Sequence, residues 1–112
     1  MDIAEQEDGG VLVLSPSGRL DSNTAPVFET VLLGRIGDGH TRLVLDFGQL
    51  DYISSAGLRV LLMAAKRLKQ TDGRLALCAV KAHIVEVFEI SGFLSIFTVA
   101  GSRGEALAKV AA

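Results

Sequence analysis

The sequence predicts an α/β fold with parallel central strands, and three observations support that prediction. Short apolar runs typical of strands alternate along the chain with amphipathic segments typical of helices. Two of the runs, residues 43–47 and 75–80, lack the polar alternation of a half-exposed strand, so both faces of these strands should be covered. A helical pattern lies between these two strands, and this arrangement favours a right-handed crossover with parallel pairing.

The chain begins with a predicted strand pair. Residues 11–14 (Val-Leu-Val-Leu) follow a Gly-Gly turn and predict a strand. Ile3 and Ala4, before that turn, predict a weaker partner strand in a hairpin. Pro16 either ends the regular part of the second strand or confines it to an edge, because proline has no N–H to donate.

Two amphipathic helices are predicted next. The first begins after residues 21–24, which offer several capping side chains, and it ends at the Gly-Asp-Gly of residues 37–39. The second begins at the serine pair of residues 54–55 and ends at Asp72-Gly73. Its apolar residues have helical spacing and predict the core face: Leu58, Leu61, Leu62, Ala65 and Leu68. Its basic residues predict a solvated face: Arg59, Lys66, Arg67 and Lys69.

The last third of the chain repeats the alternation. Apolar residues between positions 84 and 88 predict a short helix, and Gly92 ends it with Phe93 folding back. Residues 96–99 predict the last strand. Residues 102–105 (Ser-Arg-Gly-Glu) have the spacing of a capping box and predict the start of a final helix.

Composition restricts the class of function. A chain of 112 residues with 49% hydrophobic content can build one domain with a core. No stretch approaches the roughly 18 apolar residues of a membrane span, and the acidic N-terminal residues do not resemble a secretory signal. A net charge of −2 without a strongly basic segment argues against nucleic acid as a partner. The single cysteine, Cys78, fits a reducing compartment, so we expect a cytoplasmic protein with no membrane attachment.

Signals for metal binding or catalysis are weak. His83 has no second ligand at i+4, and Cys78 lies in a strand pattern without an activating base. The Gly-x-Ser-x-Gly spacing of a nucleophile elbow is absent around the serine pair, and only His40 and His83 could act as a base. We therefore expect no enzyme activity, no metal and no cofactor.

The most informative segment is residues 54–58, Ser-Ser-Ala-Gly-Leu, where a predicted strand gives way to a predicted helix. A helix N-terminus carries unpaired N–H groups and the positive end of the helix dipole, so it can hold a capping oxygen or a phosphate. From the residues alone, each serine could be a cap, a nucleophile or a modification site. Two adjacent hydroxyls also allow one serine to cap while the other faces solvent.

Residues 50–61, Leu-Asp-Tyr-Ile-Ser-Ser-Ala-Gly-Leu-Arg-Val-Leu, resemble the signature of STAS domains, specifically of bacterial anti-sigma factor antagonists. Residues 18–21 resemble the family's Gly-x-Leu-Asp, and residues 91–107 resemble its C-terminal third. The resemblance implies a single STAS domain over residues 1–112. It also implies a mixed sheet of four or five strands with about four helices mainly on one face.

The same resemblance implies a phosphorylation switch. The family's phosphorylated serine falls on Ser55, and Ser54, which replaces a familiar aspartate, is the competing hydroxyl. The implied partners are a histidine-kinase-like serine kinase that is itself the anti-sigma factor, and a PP2C-type phosphatase that resets the switch. The implied partner-binding residues are Asp21, Ser22, Asn23, Thr24, Ser54, Ser55, Ala56, Gly57 and Arg59.

Two other functions remain open at this point. The domain could be a scaffold subunit of a transporter or a sensory complex, with the serine only capping its helix. It could also hold a nucleotide at the same helix N-terminus. ATP-dependent phosphate transfer to Ser55 would favour the switch, whereas stable association with membrane subunits irrespective of phosphate would favour the scaffold.

Overall fold

The computed structural model describes residues 1–111. Over these residues the strands are β1 (Ile3–Asp8), β2 (Val11–Pro16), β3 (Gly18–Leu20), β4 (Arg42–Asp46), β5 (Leu50–Ile53), β6 (Arg74–Cys78) and β7 (Thr98–Ala100). The helices are α1 (Ala25–Gly37), α2 (Ser55–Gln70), α3 (Ala82–Ile90) and α4 (Arg103–Ala111). The predicted alternation of strands and helices is therefore confirmed.

Five strands form a mixed sheet in the order β1-β2-β4-β6-β7. Only β1 and β2 pair antiparallel, through a turn in which Gly9 and Gly10 adopt φ values of +58° and +84°. Positive φ at both turn residues suits the twist of a two-residue hairpin, and glycine adopts it without steric cost. The other neighbours in the sheet pair parallel. The mixed five-stranded sheet agrees with the predicted fold class.

Both faces of the sheet are covered. Leu12, Leu14 and Leu45 belong to the apolar cluster that includes the buried residues of α1, α2 and α3. Val13 and Val44, which point to the opposite face, pack with residues of α4. Alternate residues of β2 and β4 thus enter two different cores, which explains why these strands show no polar alternation. Three helices on one face and one on the other match the prediction that the helices lie mainly on one face.

Two strand predictions need correction, and one pair of short strands was not predicted. The partner strand predicted at Ile3 and Ala4 continues to Asp8. The last strand is Thr98–Ala100 and not residues 96–99, because the N–H groups of Ile96 and Phe97 both donate to the Phe93 carbonyl in a turn. Strands β3 and β5 form a separate parallel ribbon. Neither strand was predicted, since they are only three and four residues long.

The core face of α2 is also partly corrected. Leu58, Leu61 and Leu68 are buried as predicted. Leu62 and Ala65 are only half-buried, and the buried stripe instead includes Val60 and Ala64. Leu62 and Ala65 lie on the flank of α2 that borders residues 91–96, where they line open depressions.

The predicted ends of the later helices are confirmed with one change. Gly92 has φ +74°, and the N–H of Phe93 donates to the Phe88 carbonyl at 2.8 Å, which closes α3 with a Schellman motif. At the start of α4, Ser102 Oγ accepts from the Glu105 N–H at 3.1 Å as a capping box requires. The Glu105 carboxylate, however, accepts from the Gly101 N–H and not from that of Ser102. None of the helices within residues 1–111 has the length and apolarity needed to cross a membrane.

Candidate functional site

The serine pair lies where β5 ends and α2 begins. Ser54 has extended backbone angles, φ −99° and ψ 175°, and its Oγ accepts from the Gly57 N–H at 3.4 Å. Its carbonyl accepts from the Leu58 N–H at 3.0 Å, so Ser54 is the N-cap of α2. Ser55 is the first helical residue and is exposed. The two hydroxyls therefore have different environments, with one capping the helix and the other facing solvent.

The short β3–β5 ribbon brings a second turn next to the serines. Leu20 pairs with Ile53, and the N–H of Ser54 donates to the Leu20 carbonyl at 2.8 Å. Asp21 follows Leu20 directly, and Ser55 follows Ser54. The start of the β3–α1 turn thus lies beside the N-terminus of α2.

Asp21 organises the turn that leads into α1. Its Oδ1 accepts from the N–H groups of Asn23 at 2.9 Å and Thr24 at 3.2 Å. These bonds lower the pKa of the Asp21 carboxyl, and the bond from the Asn23 N–H has the largest effect. The nearby Arg19 guanidinium lowers it further. Because its pKa lies below the ordinary value, this carboxyl carries a negative charge at neutral pH beside the serine pair.

Thr24 is the N-cap residue of α1, but its hydroxyl does not cap the helix. Thr24 Oγ1 donates to the Arg19 carbonyl at 2.7 Å and accepts from the Asp21 N–H at 2.9 Å. The side chain of Thr24 therefore holds the β3–α1 turn together. Ser22 and Asn23 are exposed on the same turn.

Arg59 separates two surface depressions at this end of the molecule. One depression lies between α1 and α2 and is lined by Ser22, Ala56 and Arg59, among others. The other is lined by Ser55 and Arg59 together with apolar residues of α2 and Phe93. Four of the residues predicted to bind a partner, Ser22, Ser55, Ala56 and Arg59, are thus brought to one surface.

Gly57 was expected among the partner-binding residues, but the structure buries it. A Cβ at this position would lie 2.7 Å from Leu20 Cγ and 2.9 Å from Ile53 Cγ1. Glycine therefore allows α2 to pack closely on the β3–β5 ribbon. We correct its assignment accordingly: Gly57 lies beneath the surface and supports the serine pair from below.

The sequence analysis did not predict a polar cluster that lies next to β5. Lys81 Nζ lies 2.7 Å from Asp51 Oδ1 and lowers the pKa of that carboxyl. His83 Nε2 lies 2.6 Å from the Asp51 carbonyl oxygen, and the Arg19 guanidinium lies 4.2 Å from the centroid of the Tyr52 ring. These contacts join the start of α3 and strand β3 to β5, and so support the strand that carries the serines.

Cys78 and His40 are the remaining residues that were considered for catalysis. Cys78 is buried in β6, and burial together with the Asp46 carboxylate raises its thiol pKa to about 11. At neutral pH the thiol is therefore protonated and a poor nucleophile. His40 lies 4.0 Å from a Glu7 carboxylate oxygen near the protein surface. Within residues 1–111, no cluster of three His, Cys, Asp or Glu side chains is arranged to hold a metal ion.

Replacing Ser54 by alanine is expected to lower the free energy of unfolding by about 1 kcal/mol, because the Gly57 N–H loses its capping acceptor. Urea denaturation monitored by circular dichroism measures this loss. Ser55→Ala is the matched control, and its exposed hydroxyl should change stability by less than about 0.5 kcal/mol. Equal losses in the two variants would contradict the assignment of Ser54 as the cap.

Comparisons with known proteins agree on one family. The sequence profile of the STAS domain matches residues 2–106. BtrV of Bordetella bronchiseptica, described as a candidate anti-sigma factor antagonist, is 54% identical over 99 residues, which span 88% of this chain and 85% of BtrV.

Solved structures show the same fold at low sequence identity. The structure of a candidate anti-sigma factor antagonist from Thermotoga maritima superposes with a TM-score of 0.93 at 19% identity, covering 98% of this chain and 95% of that one. The Bacillus cell fate determinant SpoIIAA in its phosphorylated form gives a TM-score of 0.74 at 22% identity, covering 97% and 99% of the two chains.

Proposed function

We propose that this chain, which belongs to the STAS domain family and is similar to its anti-sigma factor antagonists, works as a phosphorylation-controlled binding protein. With Ser55 unphosphorylated, it binds and sequesters a histidine-kinase-like serine kinase that acts as the anti-sigma factor. That kinase phosphorylates Ser55 and is then released, and a PP2C-type phosphatase restores the free hydroxyl. The protein acts in the cytoplasm and has no catalysis of its own.

The observation that carries this proposal is the difference between the two serines. Ser54 is occupied as the N-cap of α2, whereas Ser55 is exposed on the first turn. A kinase can reach the Ser55 hydroxyl without breaking a capping bond. Modification of Ser54 would instead remove the acceptor for the Gly57 N–H and disturb the start of the helix.

The location of Ser55 also allows the domain to stay folded when phosphorylated. A phosphate adds about 1.5 to 2 negative charges at neutral pH, and the positive end of the α2 dipole lies at the same place. The superposition with phosphorylated SpoIIAA supports the view that this fold can carry a phosphate. The added charge must therefore act on whatever docks over Ser55.

The electrostatics beside Ser55 favour release of a docked partner. The Asp21 carboxyl, which the Leu20–Ser54 bond brings next to the serine pair, is already ionised at neutral pH. A phosphate at Ser55 adds to that negative charge inside a surface that a partner must desolvate. Uncompensated charge in an interface costs several kcal/mol, so an acidic or apolar partner surface is repelled.

Phosphorylation mapping tests the proposal. The chain, Ser55→Ala and Ser54→Ala are each incubated with the purified cognate kinase and ATP, and phosphopeptides are identified by mass spectrometry. Phosphate is expected on Ser55 in the unchanged chain and in Ser54→Ala, and none is expected in Ser55→Ala. Phosphate on Ser54 alone would overturn the assigned site. If neither serine is modified while the chain still binds its partner stably, it is a scaffold subunit and not a switch.

A further inference from the structure

Large exposed apolar side chains are concentrated in one short segment next to α2. Among the described residues, five large apolar side chains are prominently exposed, and three of them lie within residues 90–96. Ile90 is 87% exposed, Ile96 53% and Leu94 37%. Apolar side chains grouped in this way mark interaction surfaces more often than isolated ones do.

A groove in two parts lies between this segment and α2. Its first part is a depression of about 270 Å³ lined by Ser55, Leu58, Arg59, Leu62, Ser91 and Phe93. Its second part is a depression of about 430 Å³ lined by Leu62, Ala65, Lys66, Lys69, Ser95 and Ile96. Leu62 lines both parts, so they adjoin, and the two together are here called the α2 groove. From Ser55 to Lys69 the groove follows α2 for about 21 Å, at roughly 1.5 Å per residue.

The charged residues that line the α2 groove all have the same sign. They are Arg59, Lys66 and Lys69, and the remaining lining residues are apolar or serine. None of the three cations forms an ion pair with a carboxylate of residues 1–111. The chain as a whole has a net charge of −2, so this positive rim is a local feature and not a reflection of overall charge. A ligand that complements it must carry negative charge.

The shape of the groove restricts the ligand further. Leu58, Leu62 and Ala65 follow one another at i, i+4 and i+7 and form an apolar floor, and Phe93 and Ile96 line the opposite side. An apolar groove about 21 Å long matches four turns of helix, or about 14 residues. Amphipathic helices bind in such grooves through apolar residues at the same spacing.

We propose that the α2 groove binds an acidic amphipathic helix of the partner that Ser55 controls. This inference rests on the proposed function and adds the chemistry of the docking segment. The helix lays its apolar face on the groove floor, and its carboxylates face Arg59, Lys66 and Lys69. Because Ser55 lines one end of the groove, a phosphate there competes for Arg59, one turn further along α2, and repels the acidic helix.

A designed peptide tests the groove without any kinase. The probe is a fluorescein-labelled 14-residue helix with leucines at positions 1, 5, 8 and 12 and glutamates on its polar face, and binding is measured by fluorescence anisotropy. The double variant Lys66→Glu/Lys69→Glu should bind at least about tenfold more weakly. The same peptide with lysines in place of the glutamates should not bind measurably, because the groove rim is cationic.

Arg67→Glu is the control on the same helix, and it reverses one charge where the double variant reverses two. Arg67 is exposed and lines neither part of the groove, and it lies about 100° around α2 from Lys66. Its reversal should change the affinity for the peptide by less than about twofold. Equal losses for Arg67→Glu and the double variant would overturn the proposal, because they would show attraction to the overall charge of α2. Chain carrying phosphoserine at position 55 should bind the peptide more weakly, and unchanged binding would also overturn it.

Other occupants of the groove predict different results. If the unchanged chain dimerises in sedimentation experiments and Lys66→Glu/Lys69→Glu abolishes the dimer, the occupant is a second copy. If phosphatidylglycerol vesicles bind and the acidic peptide does not, the occupant is a lipid surface. Either result overturns the proposal.

Two further outcomes separate the groove from the phosphorylation switch. If the cognate kinase fails to modify Ser55 but the peptide still binds through Lys66 and Lys69, only the switch is wrong. If Ser55 controls the kinase and the double variant binds it normally, only the groove is wrong.

Discussion

Phosphorylation of Ser55 is expected to lower the affinity of the chain for its kinase partner about a hundredfold. A loss of this size corresponds to about 2.7 kcal/mol of binding free energy. The physical reason is that a nearly dianionic group would be added to the proposed interface, beside an Asp21 carboxylate whose pKa is lowered. An exchange equilibrium between two competing partners is reversed by such a change.

Isothermal titration calorimetry with purified kinase measures this effect. Chain carrying phosphoserine at position 55 is compared with unmodified chain, with Ser55→Ala and with Ser55→Asp. Ser55→Ala should bind like the unmodified chain, because alanine is small and uncharged. Ser55→Asp should weaken binding less than the phosphate does, since one carboxylate supplies about half the charge and fewer acceptors.

The thermal stability of the phosphorylated chain separates release from unfolding. The phosphate lies at the positive end of the α2 dipole, so the melting temperature should stay the same or rise. A hundredfold loss of affinity with an unchanged melting temperature would place the effect in the interface. A phosphorylated chain that melts several degrees lower would contradict a switch that acts through docking alone.

Raising the salt concentration gives an independent check on the same interface. Exposed charges are screened over about 10 Å at 0.1 M salt and over about 3 Å at 1 M. The difference in affinity between phosphorylated and unmodified chain should therefore shrink as salt is added. A difference that does not depend on salt would indicate that the phosphate blocks the partner sterically.

Much of the fold follows from local sequence patterns. The two central strands β4 and β6 are apolar without alternation, and the structure covers both of their faces. The ends of the helices were also predictable, because Asp38, Thr71 and Gly92 lie in short polar or glycine-containing segments. These features depend on residues a few positions apart, so the sequence displays them directly.

The parts that were missed depend on contacts between distant residues. Strands β3 and β5 have three and four residues, too few to show a period, and each is stable only because it pairs with the other. The Asp51–Lys81 ion pair joins positions 30 residues apart. The burial of Gly57 cannot be predicted from neighbouring residues, because its contacts with Leu20 and Ile53 form only once α2 is packed on that ribbon.

The assignment of the two serines combines both kinds of information. The adjacent hydroxyls at a strand-to-helix boundary already indicated that one could cap and the other face solvent. Which serine caps the helix follows from the backbone, since Ser54 has extended angles and Ser55 is helical.

The sequence pattern predicts an ordinary solvated surface for the basic face of α2. It could not show that three of its cations border an apolar groove formed with residues 91–96, because that segment is distant in sequence.

The two neighbouring leucines of α2, Leu61 and Leu62, are expected to respond very differently to replacement by alanine. Leu61 has no exposed surface and packs in the main core, so Leu61→Ala should lower the free energy of unfolding by about 2–5 kcal/mol. Leu62 is half-buried beside the groove, so Leu62→Ala should lower it by about 1 kcal/mol. Urea denaturation measures both losses.

Binding of the acidic peptide should reverse that order. Leu62 lines both parts of the α2 groove, so Leu62→Ala removes part of the floor on which the helix packs and should weaken binding several-fold. Leu61→Ala, measured at low temperature where the variant is still folded, leaves the groove lining intact and should bind almost normally. A loss below about 0.5 kcal/mol for Leu61→Ala would contradict the packing of α2. Weaker peptide binding by Leu61→Ala than by Leu62→Ala would contradict the position of the groove.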